Sequence, residues 1–194
     1  VTRRVEELFR ESAAAKTAAF TPDGIAAIAA MAGAVVKCLR SGGKILTCGN
    51  GGSACDAAHF AEEILGRFER DRPGYAATAL STDFATITAV ANDYGFDRIF
   101  SRQVEGLGRP EDVLFVFSTS GNSRNILEAA TTARQKGLMV FGLLGRDGGK
   151  ARALTDLSFV VPVEKACRIQ EAHILAVHIL CDLIETAMTD GSAG

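Results

Sequence analysis

No cluster of Lys or Arg occurs anywhere in this 194-residue chain. Its 21 basic and 23 acidic residues leave a formal net charge of −2. Affinity for a phosphate backbone requires many clustered cations, so a nucleic-acid partner is not expected. Also missing, on a reading of the residues alone, is an apolar run approaching the roughly 20 residues that cross a bilayer. The opening residues Val1-Thr2-Arg3-Arg4-Val5-Glu6-Glu7 carry no signal-peptide core, and the expected setting is the cytoplasm with no membrane partner. The five cysteines, Cys38, Cys48, Cys55, Cys167 and Cys181, are odd in number and contain no CxxC pair. They read as reduced, mostly buried thiols rather than a disulfide frame or a cysteine zinc site. There are no repeats, no low-complexity segment and no dividing linker. What remains is a globular composition, 47% hydrophobic and 23% charged, in one domain large enough to bury a core.

Two helices come first. Residues 3–19 carry Val5, Leu8 and Phe9 at helical spacing, followed by small Ser12, Ala13 and Ala15 that allow another helix to approach. Thr21-Pro22-Asp23 is a helix start, and Ile25, Ile28, Val35 and Leu39 continue that helix to Ser41-Gly42-Gly43. These helices precede every strand, so residues 1–42 are an extension that packs on the main fold and on another subunit. From Lys44 onward, short apolar runs alternate with helical segments. The runs 44–48, 75–80, 113–117, 138–143 and 157–161 are predicted strands, each followed by a helix, and the last helix spans 169–187. Strict alternation of this kind specifies a mostly parallel sheet covered on both faces, with ligands bound where strands end at a topological switch point.

Two such ends stand out. The run from Asp112 to Phe117 breaks into Ser118-Thr119-Ser120-Gly121-Asn122-Ser123, a strand-to-helix turn with hydroxyls and free N–H groups at a helix N-terminus. It suits a phosphate, and equally a Ser-rich loop that merely caps the helix. Gly49-Asn50-Gly51-Gly52-Ser53-Ala54 fits the G-x-G-x-x-A dinucleotide form. However, Glu69 and Asp71 fall before the second strand and Asp83 comes late, so the acid that this motif requires is misplaced. The same turn brings bare backbone to a small polar ligand, with Ser53 capping the next helix.

His59 and Glu63 are four residues apart on one helical face, a spacing open to a structural role, to chelation or to acid/base work. The last helix offers Gln170, Glu171, His173 and His178, and helical angle alone aligns Glu171 best with His178. The concentration of all three histidines on two helices favours a metal. Asn92-Asp93-Tyr94-Gly95 reads as a helix end with a left-handed glycine. Arg67 and Arg72 flank a connection, and Arg72 reads as a solvated surface residue.

Taken together, these stretches resemble the sugar isomerase (SIS) family, in the branch that isomerises seven-carbon sugar phosphates. The resemblance spans about residues 1–190. It rests on Cys48-Gly49-Asn50-Gly51-Gly52-Ser53, His59-Phe60-Ala61-Glu62-Glu63, Arg72-Pro73-Gly74, Ala91-Asn92-Asp93, Phe100-Ser101-Arg102-Gln103, the Ser118–Ser123 turn, Asp147-Gly148-Gly149 and Arg168-Ile169-Gln170-Glu171. It implies an α/β, flavodoxin-like, doubly wound five-stranded parallel sheet, with 1–194 as a single SIS domain, and a homotetramer whose sites lie between subunits. The implied reaction interconverts sedoheptulose 7-phosphate and D-glycero-D-manno-heptose 7-phosphate through an enediol, the first step toward activated heptose for lipopolysaccharide core or related glycans. Ser118, Thr119, Ser120 and Ser123 would hold the phosphate, and Asn50, Gly51, Gly52, Asn92 and Asp93 the open-chain sugar. By the same resemblance, zinc would be held by His59, Glu63, Gln170 and His178, with Glu63 and Gln170 also meeting substrate, Glu63 as base and His178 as acid. Cys167 departs from the pattern, since some relatives carry Asp there. The rival readings are a noncatalytic SIS protein of the kind that binds a replication initiator, and a phosphosugar-sensing regulator, which would need a DNA-binding segment. A pentose- or hexulose-phosphate isomerase is the alternative among enzymes.

Overall fold

In the computed structural model, which describes residues 1–190, five parallel strands form one sheet in the order β2-β1-β3-β4-β5. The strands are β1 (Ile45–Gly49), β2 (Ala77–Ala79), β3 (Val113–Ser118), β4 (Met139–Gly145) and β5 (Leu157–Val161). The alternation of elements implied the parallel sheet, and the resemblance implied this flavodoxin-like form of it. The predicted strand at 75–80 shrinks to three residues, because β2 is an edge strand that pairs on one side only. Residues 191–194 of the expected single domain lie outside the described residues.

Along β3 the side chains alternate between two cores. Val113, Phe115 and Phe117 enter one with Phe60, Ile64, Phe141, Ile169 and Val177. Leu114 and Val116 enter the other with Val104, Ile126, Ala130 and Val140. A strand buried on both faces has no polar side to show, which is why 113–117 reads as a continuous apolar run. Asp112 fixes its start: the buried carboxylate accepts from the N–H groups of Lys44 (2.9 Å) and Arg109 (2.8 Å) and pairs with Lys44 Nζ at 2.5 Å.

The helices are α1 (Thr2–Ala19), α2 (Pro22–Arg40), α3 (Gly52–Leu65), α4 (Phe84–Tyr94), α5 (Ser101–Leu107), α6 (Arg124–Gln135) and α7 (Ala166–Asp190). Thr21 caps α2 as expected, its side chain accepting from Gly24 N–H with Pro22 in the first turn. Gly95 ends α4 with φ +87°. The expectation of a helix after every strand fails between β4 and β5, where a 3₁₀ turn at Lys150–Leu154 is all the short connection holds. A second correction concerns apolar length. By length and composition both Pro22–Arg40 and Ala166–Asp190 are long and apolar enough to cross a membrane. Their buried faces, through Met31, Val35, Val177 and Ile184, form part of the core.

α1 docks through its second half. Ala15 and Ala19 are buried, and Glu11 binds Lys165 (2.6 Å) and Arg168 (3.0 Å) ahead of and within α7. Its first half projects from the body, leaving Val5 60% and Phe9 73% exposed. Cys38, Cys48 and Cys181 are buried, Cys55 and Cys167 exposed, and all five thiols are free.

Candidate active site

β1 and β3 are neighbours, in register to Gly49 opposite Phe117, and the connections that follow them diverge. The crevice between their carboxyl ends is therefore the switch point of the sheet. The turn after β1 enters α3 at once. Ser53 does not cap that helix as expected: it lies inside α3 at 4% exposure, and Gly51 holds the N-cap position with no side-chain cap bond. The turn is held from the β3 side instead. Asn50 and Asn125 exchange amide hydrogen bonds, Asn50 Nδ2 donating to Asn125 Oδ1 (2.9 Å) and Asn125 Nδ2 to Asn50 Oδ1 (2.8 Å). Gly52 lets the Gln170 side-chain amide lie close over the turn, since a Cβ there would meet it at 2.5 Å and push it aside.

The second turn, after β3, is internally braced. Ser118 Oγ accepts from Gly121 N–H (3.0 Å) and Ser120 Oγ from Asn122 N–H (3.2 Å). Asn122 Oδ1 takes the N–H of Lys150, and Gly121, at φ +63°, packs so closely on Gly148 that no side chain fits. Thus the Asp147-Gly148-Gly149 turn buttresses this one. Ser123 is the N-cap residue of α6, yet its hydroxyl makes no capping bond. The capping reading of this turn loses its main actor. The N–H groups of Ile126 and Leu127 are taken by the Ser123 carbonyl, and the Ser123 hydroxyl with the N–H groups of Arg124 and Asn125 suits an anion.

Farther along α3, three side chains converge. His59 Nε2 lies 3.2 Å from His178 Nε2 and 3.2 Å from Glu63 Oε1, and donor atoms of all three fall within 4.8 Å of one another. Two ligands at tetrahedral angles on a zinc with bonds near 2.0–2.1 Å stand about 3.3 Å apart, so the spacing suits such an ion. Two imidazoles and one carboxylate, with a coordination position left over, form a donor set typical of catalytic zinc. The Phe68 ring packs, tilted, against His178, ring centroids 5.8 Å apart. Asp56, one turn before His59, has a buried Oδ2 with no partner, and burial pushes its carboxyl up to about 6 against the opposing charge of His59.

The remaining candidates lie elsewhere. Gln170 rests against Gly52, seven residues and about 10 Å along α3 from His59. Glu171, which helical angle aligned with His178, is engaged by α1: its carboxylate accepts from Ser12 (2.5 Å) and pairs with Arg168. Angle defines a direction on a helix and says nothing about the neighbour standing there. His173 is fully buried with both ring nitrogens unpartnered, against the Phe117 ring, so it does not join the other two histidines. Asn92 and Asp93 are exposed and bond to each other. The short 3₁₀ turn after them reaches the start of α6 through Asp97 and Arg124, 3.4 Å apart. Arg72 is not a surface residue; its side chain is 2% exposed and paired with Glu185. Asn125, Phe68, Asp56 and Glu185 escaped the sequence reading. An Asn or Phe on a helix face carries no signal until its partner is known.

Known proteins share this fold and much of this sequence. The SIS domain family matches residues 8–145. A phosphoheptose isomerase of Helicobacter hepaticus is 55% identical over 160 residues, 82% of each chain. Among solved structures, the phosphoheptose isomerase of Neisseria gonorrhoeae superposes with a TM-score of 0.89 at 46% identity, covering 95% of this chain and 98% of that one. The phosphoheptose isomerase of Francisella tularensis gives 0.91 at 42%, with the same coverage. On fold and sequence together, this chain belongs to the phosphoheptose isomerases of the SIS domain family.

Proposed function

We propose that the chain is an aldose–ketose isomerase interconverting sedoheptulose 7-phosphate and D-glycero-D-manno-heptose 7-phosphate, at the head of activated-heptose synthesis. The observation that carries this reading is the convergence of His59, Glu63 and His178, because a proton shuttle between adjacent carbons needs a base and an acid side by side. Glu63 takes a proton from C1 of the ketose while His178 donates one to O2, giving the cis-enediol. Return of a proton to C2 and loss of the O1 proton complete the aldose. Glu63 Oε1 faces His59, which leaves Oε2 for the proton transfer. His59, Glu63 and His178 would hold one zinc per subunit. Bound there, the ion supplies Lewis acidity at the substrate carbonyl.

Ser118, Thr119, Ser120 and Ser123 anchor the phosphate, whose remote binding energy orients the reacting carbons. Asn50, Gly51, Gly52, Asn92, Asp93 and Gln170 line the sugar. The Gly52 turn and the histidine cluster are separated by about 10 Å along α3, which supports a homotetramer in which the turn of one copy faces the cluster of another. In that assembly Gln170 would be the residue to complete the metal set of a neighbouring copy. The exposed first half of α1 supports residues 1–42 as packing elements between copies. The site needs only diffusible sugar phosphate, and the cytoplasm is its compartment. The deciding experiment is an NMR or coupled assay with sedoheptulose 7-phosphate. Conversion is expected, and no conversion by metal-loaded protein would leave a noncatalytic phosphosugar-binding SIS protein.

A further inference from the structure

We infer that Phe68, Arg72 and Glu185 are positioning residues for the His59–Glu63–His178 cluster, an inference that rests on the metal and isomerase reading above. After α3 the chain folds back through residues 66–76 along the last turns of α7. Glu185, 3% exposed, gathers this segment: its carboxylate accepts from the N–H groups of Phe68 (3.1 Å), Glu69 (2.9 Å) and Arg70 (2.8 Å) and from Arg72 Nε (2.9 Å). Burial opposes the charge, but these donors hold the carboxyl below the usual carboxylate range. The Arg72 guanidinium donates to the carbonyls of Glu63 (2.9 Å), Ile64 (3.0 Å), Gly66 (3.3 Å) and Pro73 (3.1 Å). Those at the end of α3 lack intrahelical partners. It also lies 4.4 Å over the Tyr75 ring.

Two contacts carry this network into the site. One is the Glu63 carbonyl itself, so the backbone bearing the proposed base is fixed by Arg72. The other is Phe68, held at its N–H by Glu185; its ring packs against that of His178 at an interplanar angle of 31°. Glu185 follows His178 by seven residues on α7, two turns along nearly the same face. A single helix thus presents both the imidazole and the anchor of the segment that restrains it. Groups that orient metal ligands from behind typically change metal affinity or activity by about 10–100-fold when altered.

The test is zinc affinity, measured by competition with a chromophoric chelator, together with the visible spectrum of the cobalt-substituted protein. Phe68→Leu keeps an apolar side chain, though a smaller one, removes the ring, and leaves every bond of Glu185 and Arg72 in place, since Glu185 holds the backbone N–H. It is expected to weaken zinc binding about 10-fold or more and to alter the cobalt bands, with the thermal midpoint of the chelator-treated protein unchanged. Glu185→Gln is expected to weaken zinc binding further and lower kcat, with KM for the sugar phosphate unchanged because the Ser118–Ser123 turn is untouched. Should Glu185→Gln fail to fold, Phe68→Leu decides alone. Wild-type zinc affinity and cobalt spectrum in Phe68→Leu would overturn the positioning role. Absence of zinc binding by the unaltered chain would instead remove the metal reading, and this inference with it.

Discussion

The Nε2 atoms of His59 and His178 face each other at 3.2 Å although the residues are 119 positions apart in sequence. Two neutral imidazoles cannot both offer lone pairs at that distance without a proton or a cation between them, and Glu63 Oε1 stands at the same distance from His59. The expected content is one zinc per chain, read by elemental analysis of purified protein. Chelation is expected to abolish isomerisation and added zinc to restore it. Zinc-free protein that stays active after chelation would refute this.

Glu63→Gln keeps the size of the side chain and removes its basicity. General base catalysis contributes typically about 10²–10⁴-fold, so kcat is expected to fall by at least that range with the circular dichroism spectrum unchanged. Turnover like that of the wild type would remove Glu63 as the base.

Asn125→Asp tests the bridge between the two turns. A carboxylate there faces Asn50 Oδ1 in place of an amide donor, at the first turn of α6 behind the proposed phosphate site. KM for the sugar phosphate is expected to rise about tenfold, equivalent to about 1.4 kcal/mol. Inhibition by inorganic phosphate is expected to weaken in parallel. An unchanged KM would place the phosphate elsewhere.

His173 makes acid stability a readout of the core. Burial pushes its imidazole from 6.5 down to about 4, so between these values the unfolded chain binds a proton that the folded chain refuses. Stability therefore falls as pH drops from about 6.5 toward 4, by about 3 kcal/mol in total at 1.36 kcal/mol per unit. Urea unfolding of chelator-treated His173→Leu across that range is expected to show a correspondingly shallower loss than the wild type. Parallel curves would mean that the ring takes up its proton when folded.

The exposed Val5 and Phe9 test the assembly. Glutamate at both positions is expected to convert a tetramer into smaller species in sedimentation experiments and to lower activity. Retention of the tetramer would move the interface away from the first half of α1.

Strand runs and turn chemistry were legible because they are written in adjacent residues. Val113 to Phe117 reads as a buried strand whatever surrounds it, and Thr21-Pro22 starts a helix within its own turn. Glu171 shows the limit of such reading. Its angle on α7 matches His178, yet Ser12 and Arg168 hold its carboxylate. Arg72 shows the same limit from the other side, because no local pattern distinguishes a solvated arginine from one buried beneath a carboxylate 113 positions away.

The sequence by itself determined the doubly wound α/β architecture, the two small-residue turns at strand ends, and the His59/Glu63 spacing on one helix. Each follows from backbone sterics and from side-chain periods of two or 3.6 residues. The resemblance named His178, and the tertiary structure is what brings it against His59 and Glu63. Only the tertiary structure decided that Asn125 locks Asn50 and that Glu185 gathers the segment carrying Phe68. Those relationships join residues 75 to 119 positions apart, and they exist only once the sheet order has brought the two strand ends and helices α3 and α7 side by side.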